Sequence, residues 1–265
     1  MINYLKLIIL KYYAKLMKGK IIIYNESRYH GNFITKTPKL NIKCETKAKE
    51  VIFLFWTGDN PLTLNRKNSI EHIRRMSGVK VELITQENLN NYIIQGFPLH
   101  NSYEYLSYVH RADYLRAYFM HHYGGGYCDI KLINHPWKNA FLKLNSQDDK
   151  WIIGYPEVAP SAIPFSEGVL SKDLKRAYYR MIGNGAFIAK PNSKITEEWL
   201  DQIHSVLDTK FELLKQNPGD SRGKNIGYPL EWSEILGQIF QPLLLKYNDK
   251  VLIDDSLTIN CKNYK

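Results

Sequence analysis

Between His110 and Leu132 the chain reads HRADYLRAYFMHHYGGGYCDIKL. Three consecutive glycines, Gly124 to Gly126, separate an aromatic-rich helical pattern from a short alternating run. Glycine enters left-handed backbone without the steric cost that other residues bear, so the triplet stops a helix and turns the chain sharply, or lets it approach a ligand closely. On the helix before the turn, Asp113 and Arg116 are three residues apart and share a face. Tyr114, Leu115, Tyr118 and Phe119 give that helix apolar surface to dock on a core. After the turn, Tyr127, Asp129 and Lys131 alternate with Cys128, Ile130 and Leu132, which predicts one strand over 127–132 with a single buried face. Helix, turn and strand end thus bring charges of both signs to one corner. Each feature taken singly also suits a plain surface helix, a turn and an ordinary strand.

The flanking sequence sets this corner in an α/β architecture. Val51 to Trp56 (VIFLFW) is a buried strand, Pro61 opens a helix to about Met76, and Gly78 ends it. Val79 to Ile84 alternates as a second strand, and a helix from about Gln86 to Ile94 follows. A βαβα start predicts a mostly parallel sheet with helices on both faces, and ligands bind such sheets at the carboxyl ends of the strands. Further on, Trp151 to Tyr155 reads as a strand and Pro156 to Ser171 as a loop, either an acceptor loop or lid or a mere connection. Asn184-Gly185 reads as a turn into the strand Ala186 to Ala189. Ser193 to Lys215 is an amphipathic helix, and Pro218 to Tyr228 a polar loop suited to closing over a diphosphate or to remaining disordered. Glu231 and Trp232 open another helix, and Val251 to Asp255 is a last strand.

Composition narrows the function classes. A length of 265 residues with 44% hydrophobic and 23% charged residues supports a real core and argues against disorder. Lys and Arg number 36 against 26 for Asp and Glu, and the resulting charge of +10 suits nucleotide donors, anionic glycans or an anionic membrane surface. No zinc-finger spacing, RNP motif or helix-turn-helix pattern supports nucleic acid. Cys44, Cys128 and Cys261 form neither a disulfide framework nor a metal cluster, which suits a reducing, cytoplasmic compartment. No segment has the length of a transmembrane helix. Residues 1–20 carry five lysines and no acid, with Leu5, Ile9, Tyr12, Tyr13 and Leu16 along one side. That pattern fits an amphipathic helix on the inner face of an anionic membrane, or a terminal helix packed on its own domain, the single domain expected over 21–265.

Ala112, Asp113, Arg116, Tyr123, Gly124, Gly125, Tyr127 and Asp129 fall in the order of a known pattern. The corner resembles the sugar-nucleotide region of GT-A glycosyltransferases with a DXD motif, the group of mannosyl- and galactosyltransferases, capsule-synthesis transferases and glucosylating toxins. The resemblance implies a GT-A-like, Rossmann-type sandwich and transfer of a sugar, a hexose with retention, from a nucleoside diphosphate to a cell-surface glycan or lipid-linked acceptor. It implies that Asp113 and Arg116 hold the donor sugar and that Asp129 ligates Mn²⁺ or Mg²⁺ on the diphosphate. One departure stands out: the last Asp of the motif is Lys131, so the usual two-carboxylate site is incomplete. A lysine there can set a point charge on a phosphate and partly substitute for metal charge.

The catalytic candidates are therefore Asp129, Asp113 and Arg116, with Asp129 the one metal candidate. Substrate-binding candidates add Trp56, Thr57, Tyr123, Gly124, Gly125, Lys131, Asn184, Glu231 and Trp232. In the resembled families an aromatic at the position of Trp56 stacks on the nucleotide base; an ordinary core tryptophan reads equally well. The resemblance also sets a polar group such as Asn184 beside the donor sugar. Two readings compete with an active transferase: a transferase-like binding protein that lost catalysis with its second aspartate, and a hydrolase, disfavoured because Asp129 has no acidic partner at its own strand end.

Overall fold

The computed structural model of the protein describes residues 23–36, 44–164 and 168–260. In chain order the strands are β1 (Val51–Trp56), β2 (Lys80–Thr85), β3 (Gly125–Cys128), β4 (Leu132–Ile133), β5 (Ile152–Pro156), β6 (Ile182–Ala189), β7 (Val251–Ile253) and β8 (Ile259–Asn260). The α-helices are α1 (Leu64–Met76), α2 (Tyr108–His122), α3 (Lys138–Asn145), α4 (Gly168–Arg176), α5 (Lys194–Thr209), α6 (Phe211–Gln216) and α7 (Gly237–Lys246). The main sheet has the order β2-β1-β3-β6-β5-β7, and β4 and β8 pair apart from it. β1 pairs parallel with β2 and β3, β5 pairs parallel with β7, and β6 runs antiparallel between β3 and β5. Five of the six strands thus point one way, and β1, β3 and β5 end on the same edge.

Strand alternation sorts the core into two layers. Phe53 and Phe55 of β1, Tyr127 of β3 and Phe187 of β6 join the layer that holds Tyr114, Tyr118 and Phe119 of α2, Trp199 of α5 and Phe240 of α7. Ile52 and Leu54 of β1, Cys128 of β3 and Ile188 of β6 join Ile70 and Ile73 of α1 and Phe141 of α3 on the other face. The result is a Rossmann-like sandwich of helices on both sides of a mostly parallel sheet.

Several boundaries differ from the sequence expectation, each for a local reason. α1 starts at Leu64 and not at Pro61, because Thr63 caps it by accepting from the Arg66 N–H at 3.3 Å. In place of a helix over Gln86–Ile94 there is one 3₁₀ turn, Leu89–Tyr92. Asn88 takes the Thr85 N–H and gives its own amide to Leu83 O, a competition for backbone partners that short amides win against helix formation. The strand expected over 127–132 stops at Cys128, where the chain turns and the Lys131 N–H donates to Asp129 O at 2.6 Å. Asn184 lies inside an eight-residue strand rather than in a turn. Gly183 and Gly185 stand there because the Tyr155 ring occupies the space of a Cβ on Gly183, while Asp129 Oδ2 is 3.2 Å from one on Gly185. Glu231 and Trp232 lie in a turn ahead of α7, and α4 begins inside the stretch expected as a loop. The basic N-terminal helix expected over 1–20 lies outside the described residues. Among the described residues no helix is long and apolar enough to cross a membrane.

Candidate active site

At the edge where β1, β3 and β5 end, α2 presents Asp113 and Arg116, both buried. Ser107 fixes the start of that helix by accepting from the His110 N–H. The Arg116 guanidinium is the hub of the site. Its Nη1 donates to Asn184 O at 2.8 Å and its Nη2 to the Tyr127 hydroxyl at 2.7 Å. Nη2 also lies 3.2 Å from Asp113 Oδ1 and 3.6 Å from Asp129 Oδ1, and Cζ stands 4.1 Å from the centroid of the Tyr127 ring. Tyr127 passes the contact on, its hydroxyl donating to Asp129 Oδ1 at 2.6 Å. Lys131 Nζ closes the chain with a 2.8 Å bond to Asp129 Oδ2. One helix, one strand end, one turn and the antiparallel strand each contribute a group.

The two carboxylates respond to this field in opposite directions. Burial pushes Asp129 up, but Arg116 and Lys131 outweigh it and hold the carboxyl below its ordinary range, fully charged near neutrality. Burial dominates at Asp113 and raises its titration, offset in part by Arg116 and His110 and reinforced by Asp129. Three buried polar atoms around the hub have no hydrogen-bond partner: Asp113 Oδ2, Arg116 Nε and Asn184 Oδ1. Leaving such a group unpaired costs about 1–3 kcal/mol each.

Of the sequence candidates, Asp113, Arg116, Asn184, Asp129 and Lys131 converge here. Tyr123, Gly124 and Gly125 stand at the other end of β3, roughly 13 Å away by strand rise. The Tyr123 hydroxyl donates to Tyr92 O at 2.7 Å, and its ring packs on Phe53 and Phe119. Gly124 and Gly125 have φ of 63° and 92°, and a Cβ on Gly125 would sit 2.8 Å from Val51 O. Chain packing accounts for these glycines. Trp56 and Thr57 do reach the carboxyl edge, at the end of β1. Trp56 Nε1 donates to Asn60 O at 2.8 Å, and Thr57 is buried with its hydroxyl on Tyr108 O at 2.5 Å, which ties the loop after β1 to α2. Trp232 is exposed, and Glu231 accepts from Gln238 at 2.8 Å while its backbone oxygen meets His110 Nε2 at 3.1 Å.

Residues 3–152, more than half of the chain, match the profile of the capsular polysaccharide synthesis protein family. The chain belongs to that family. Comparison with curated proteins and with solved structures gives no match. The matched segment of this capsule-synthesis protein carries Asp113, Arg116, Tyr127, Asp129 and Lys131; Asn184 and β6 lie beyond it.

The metal implied by the sequence resemblance meets a poor donor set. Both Asp129 oxygens are engaged, Oδ1 by Tyr127 and Oδ2 by Lys131. Among the described residues no group of three His, Cys, Asp or Glu side chains could hold a metal ion. The residues present do not fit a protein-held metal. Sequence reasoning names Tyr127 in the motif but not as a site residue, although its shared parity with Asp129 is the available signal.

Proposed function

We propose that the protein is a glycosyltransferase with a GT-A-like donor site, taking a sugar from a nucleoside diphosphate and passing it to a glycan or lipid-linked acceptor in polysaccharide biosynthesis. The observation that carries this reading is the cluster of unpartnered buried atoms around Arg116. Asp113 Oδ2 accepts and Arg116 Nε donates, while Asn184 Oδ1 accepts, a set matched to the hydroxyls of a sugar. Family membership supports a role in making polysaccharide.

In this reading Asp113, Arg116 and Asn184 orient the sugar ring, and Lys131 sits where the departing diphosphate gathers charge. A fixed cation at that point stabilises the transition state more than the ground state. Asp129 then serves as the anchor that aims Lys131 and Arg116, with any divalent cation recruited chiefly by the phosphates of the donor. The engagement of both Asp129 oxygens equally favours a second reading, a family member that binds a nucleotide or glycan without transfer.

A panel of UDP-, GDP- and ADP-sugars, each with and without Mn²⁺, separates the readings. Thermal stabilisation by one of them, with slow release of the nucleoside diphosphate, supports the transferase. Stabilisation without release supports the binding protein, and no stabilisation by any nucleotide sugar overturns the donor site.

A further inference from the structure

The same edge of the sheet holds another carboxyl group that none of the donor contacts uses. β5 closes on β6 at the pair Pro156–Ile182, and the Glu157 N–H donates to Met181 O at 2.9 Å. Glu157 therefore leaves the sheet on the edge where Asp129 sits, three residues along the neighbouring chain from Asn184, roughly 10 Å by strand rise. Its side chain turns to α7, where Gln241 Nε2 donates to its Oε1 at 3.4 Å. Asn184 abuts the same helix, its Nδ2 lying 3.2 Å from where a Cβ on Gly237 would stand. Gly237 and Gln241 are one turn apart, about 6 Å along the axis, so a single turn of α7 touches both Asn184 and Glu157.

Glu157 is poorly satisfied for a carboxyl group so placed. Among the described residues its side chain meets the Val158 N–H and the Gln241 amide and makes no ion pair. Gln241 is fully buried, and its own Oε1 has no hydrogen-bond partner. Burial pushes the Glu157 carboxyl up to about 7, held back only by the Val158 N–H and the Gln241 amide, with no charged group contributing. A buried amide with an unpaired oxygen and a carboxyl without an ion pair, on the helix that also abuts Asn184, fit a hydroxyl-bearing ligand better than an internal fold contact.

We propose that Glu157 is the acceptor-side base of the transfer, with Gln241 as its positioning residue. The inference rests on the glycosyltransferase reading above. The acceptor hydroxyl donates to the Glu157 carboxylate. As its oxygen bonds to the anomeric carbon, the bond from that carbon to the diphosphate breaks, the electron pair leaves on the diphosphate, and the proton passes to Glu157. Groups near neutrality are the most effective proton acceptors, and such bases contribute about 10²–10⁴ in rate.

The test uses the nucleotide sugar that stabilises the wild type most, with water as acceptor, and reads nucleoside diphosphate release against pH. Wild-type release should rise with pH to a plateau, half-developed near pH 7. Glu157→Gln should lower the plateau at least about 100-fold and flatten the profile, with donor-induced stabilisation unchanged. Gln241→Leu removes the one side-chain bond that favours the carboxylate, so its profile should move to higher pH; this arm decides the matter if Glu157→Gln fails to fold. Release by Glu157→Gln at the wild-type rate with the wild-type profile would overturn the proposal, as would an unmoved profile for Gln241→Leu. Donor binding by the wild type without any release also overturns it. Failure of every nucleotide sugar to bind is a different result, which sinks the donor reading itself.

Discussion

The two ends of β3 belong to one run of sequence and follow opposite rules. At its start Tyr123, Gly124 and Gly125 are locked: the tyrosine hydroxyl has its acceptor, the rings of Phe53, Tyr92 and Phe119 surround it, and backbone atoms crowd both glycines. At its finish Asp113, Arg116 and Asn184 keep buried atoms without partners, and two charges of each sign crowd a few ångströms. A native interior pairs its buried polar groups almost without exception. The first end is what folding asks for, and the second leaves open the groups that the proposed donor would use.

Substitutions at the two ends should therefore fail in different assays. Arg116→Ala strips Asp113 of its guanidinium and leaves Asp129 with the Lys131 cation alone, and should cost about 2–5 kcal/mol in transition-state stabilisation of donor turnover. An effect confined to melting temperature, with turnover per folded molecule intact, would make Arg116 a purely structural ion-pair hub. Gly124→Ala should do the reverse. Its Cβ would stand 2.8 Å from Pro191 N on a backbone of positive φ, so unfolding free energy should drop by roughly 3 kcal/mol, with donor affinity of the folded fraction preserved. Equal loss of donor affinity would show that the glycine end reaches the ligand after all.

Lys131→Ala sharpens the ligand end. It should weaken donor turnover about tenfold, equivalent to roughly 1.4 kcal/mol, and free one Asp129 oxygen, so that Mn²⁺ stimulates the variant more than the wild type. Identical Mn²⁺ titrations for the two proteins would reduce Lys131 to an ordinary ion-pair partner. The smallest effect concerns acid. Burial lowers His121, His122 and His204 from 6.5 to about 4 near the carboxyl end of α2. Their folded-state values lie below the unfolded one, so the stability that their neutral forms contribute is full above pH 6.5 and drains away as pH falls toward 4. Asp129 is held below its ordinary range and keeps its charge through that window. Melting temperature should decline by a few degrees across it, and a flat profile would place the histidines in water.

The geometry of the candidate site is largely legible in the sequence, and the framing around it less so. Asp113 and Arg116 share a helix face by spacing alone, and the glycine triplet announces the turn, so a helical period and a backbone constraint were enough. Lys131 was placed on a strand beside Asp129, whereas the chain turns after Cys128 and swings the ammonium onto the carboxylate. A period of two cannot distinguish a strand from two residues of one followed by a tight turn. Asn184-Gly185 reads as a turn from sequence, and only the Tyr155 ring against Gly183 and Asp129 against Gly185 show that the glycines serve close approach within a strand. Glu157 went unmarked because its isolation depends on α7, more than 80 positions along the chain.

The bond between Arg116 and Asn184 joins positions 68 apart and ends on β6, which among the described residues is the one strand of the main sheet that runs against the others. During synthesis the chain therefore carries its cationic hub for some time before the strand that receives it exists. Until β6 inserts between β3 and β5, the guanidinium has no carbonyl to rest on, and Asp129 lacks the Gly185 oxygen that takes its N–H at 2.7 Å. A nascent or clipped chain ending near residue 152 would expose the charges without the pocket. Under the proposed function, donor capture would report that the sheet has closed, and no activated sugar would be spent on an unfinished copy.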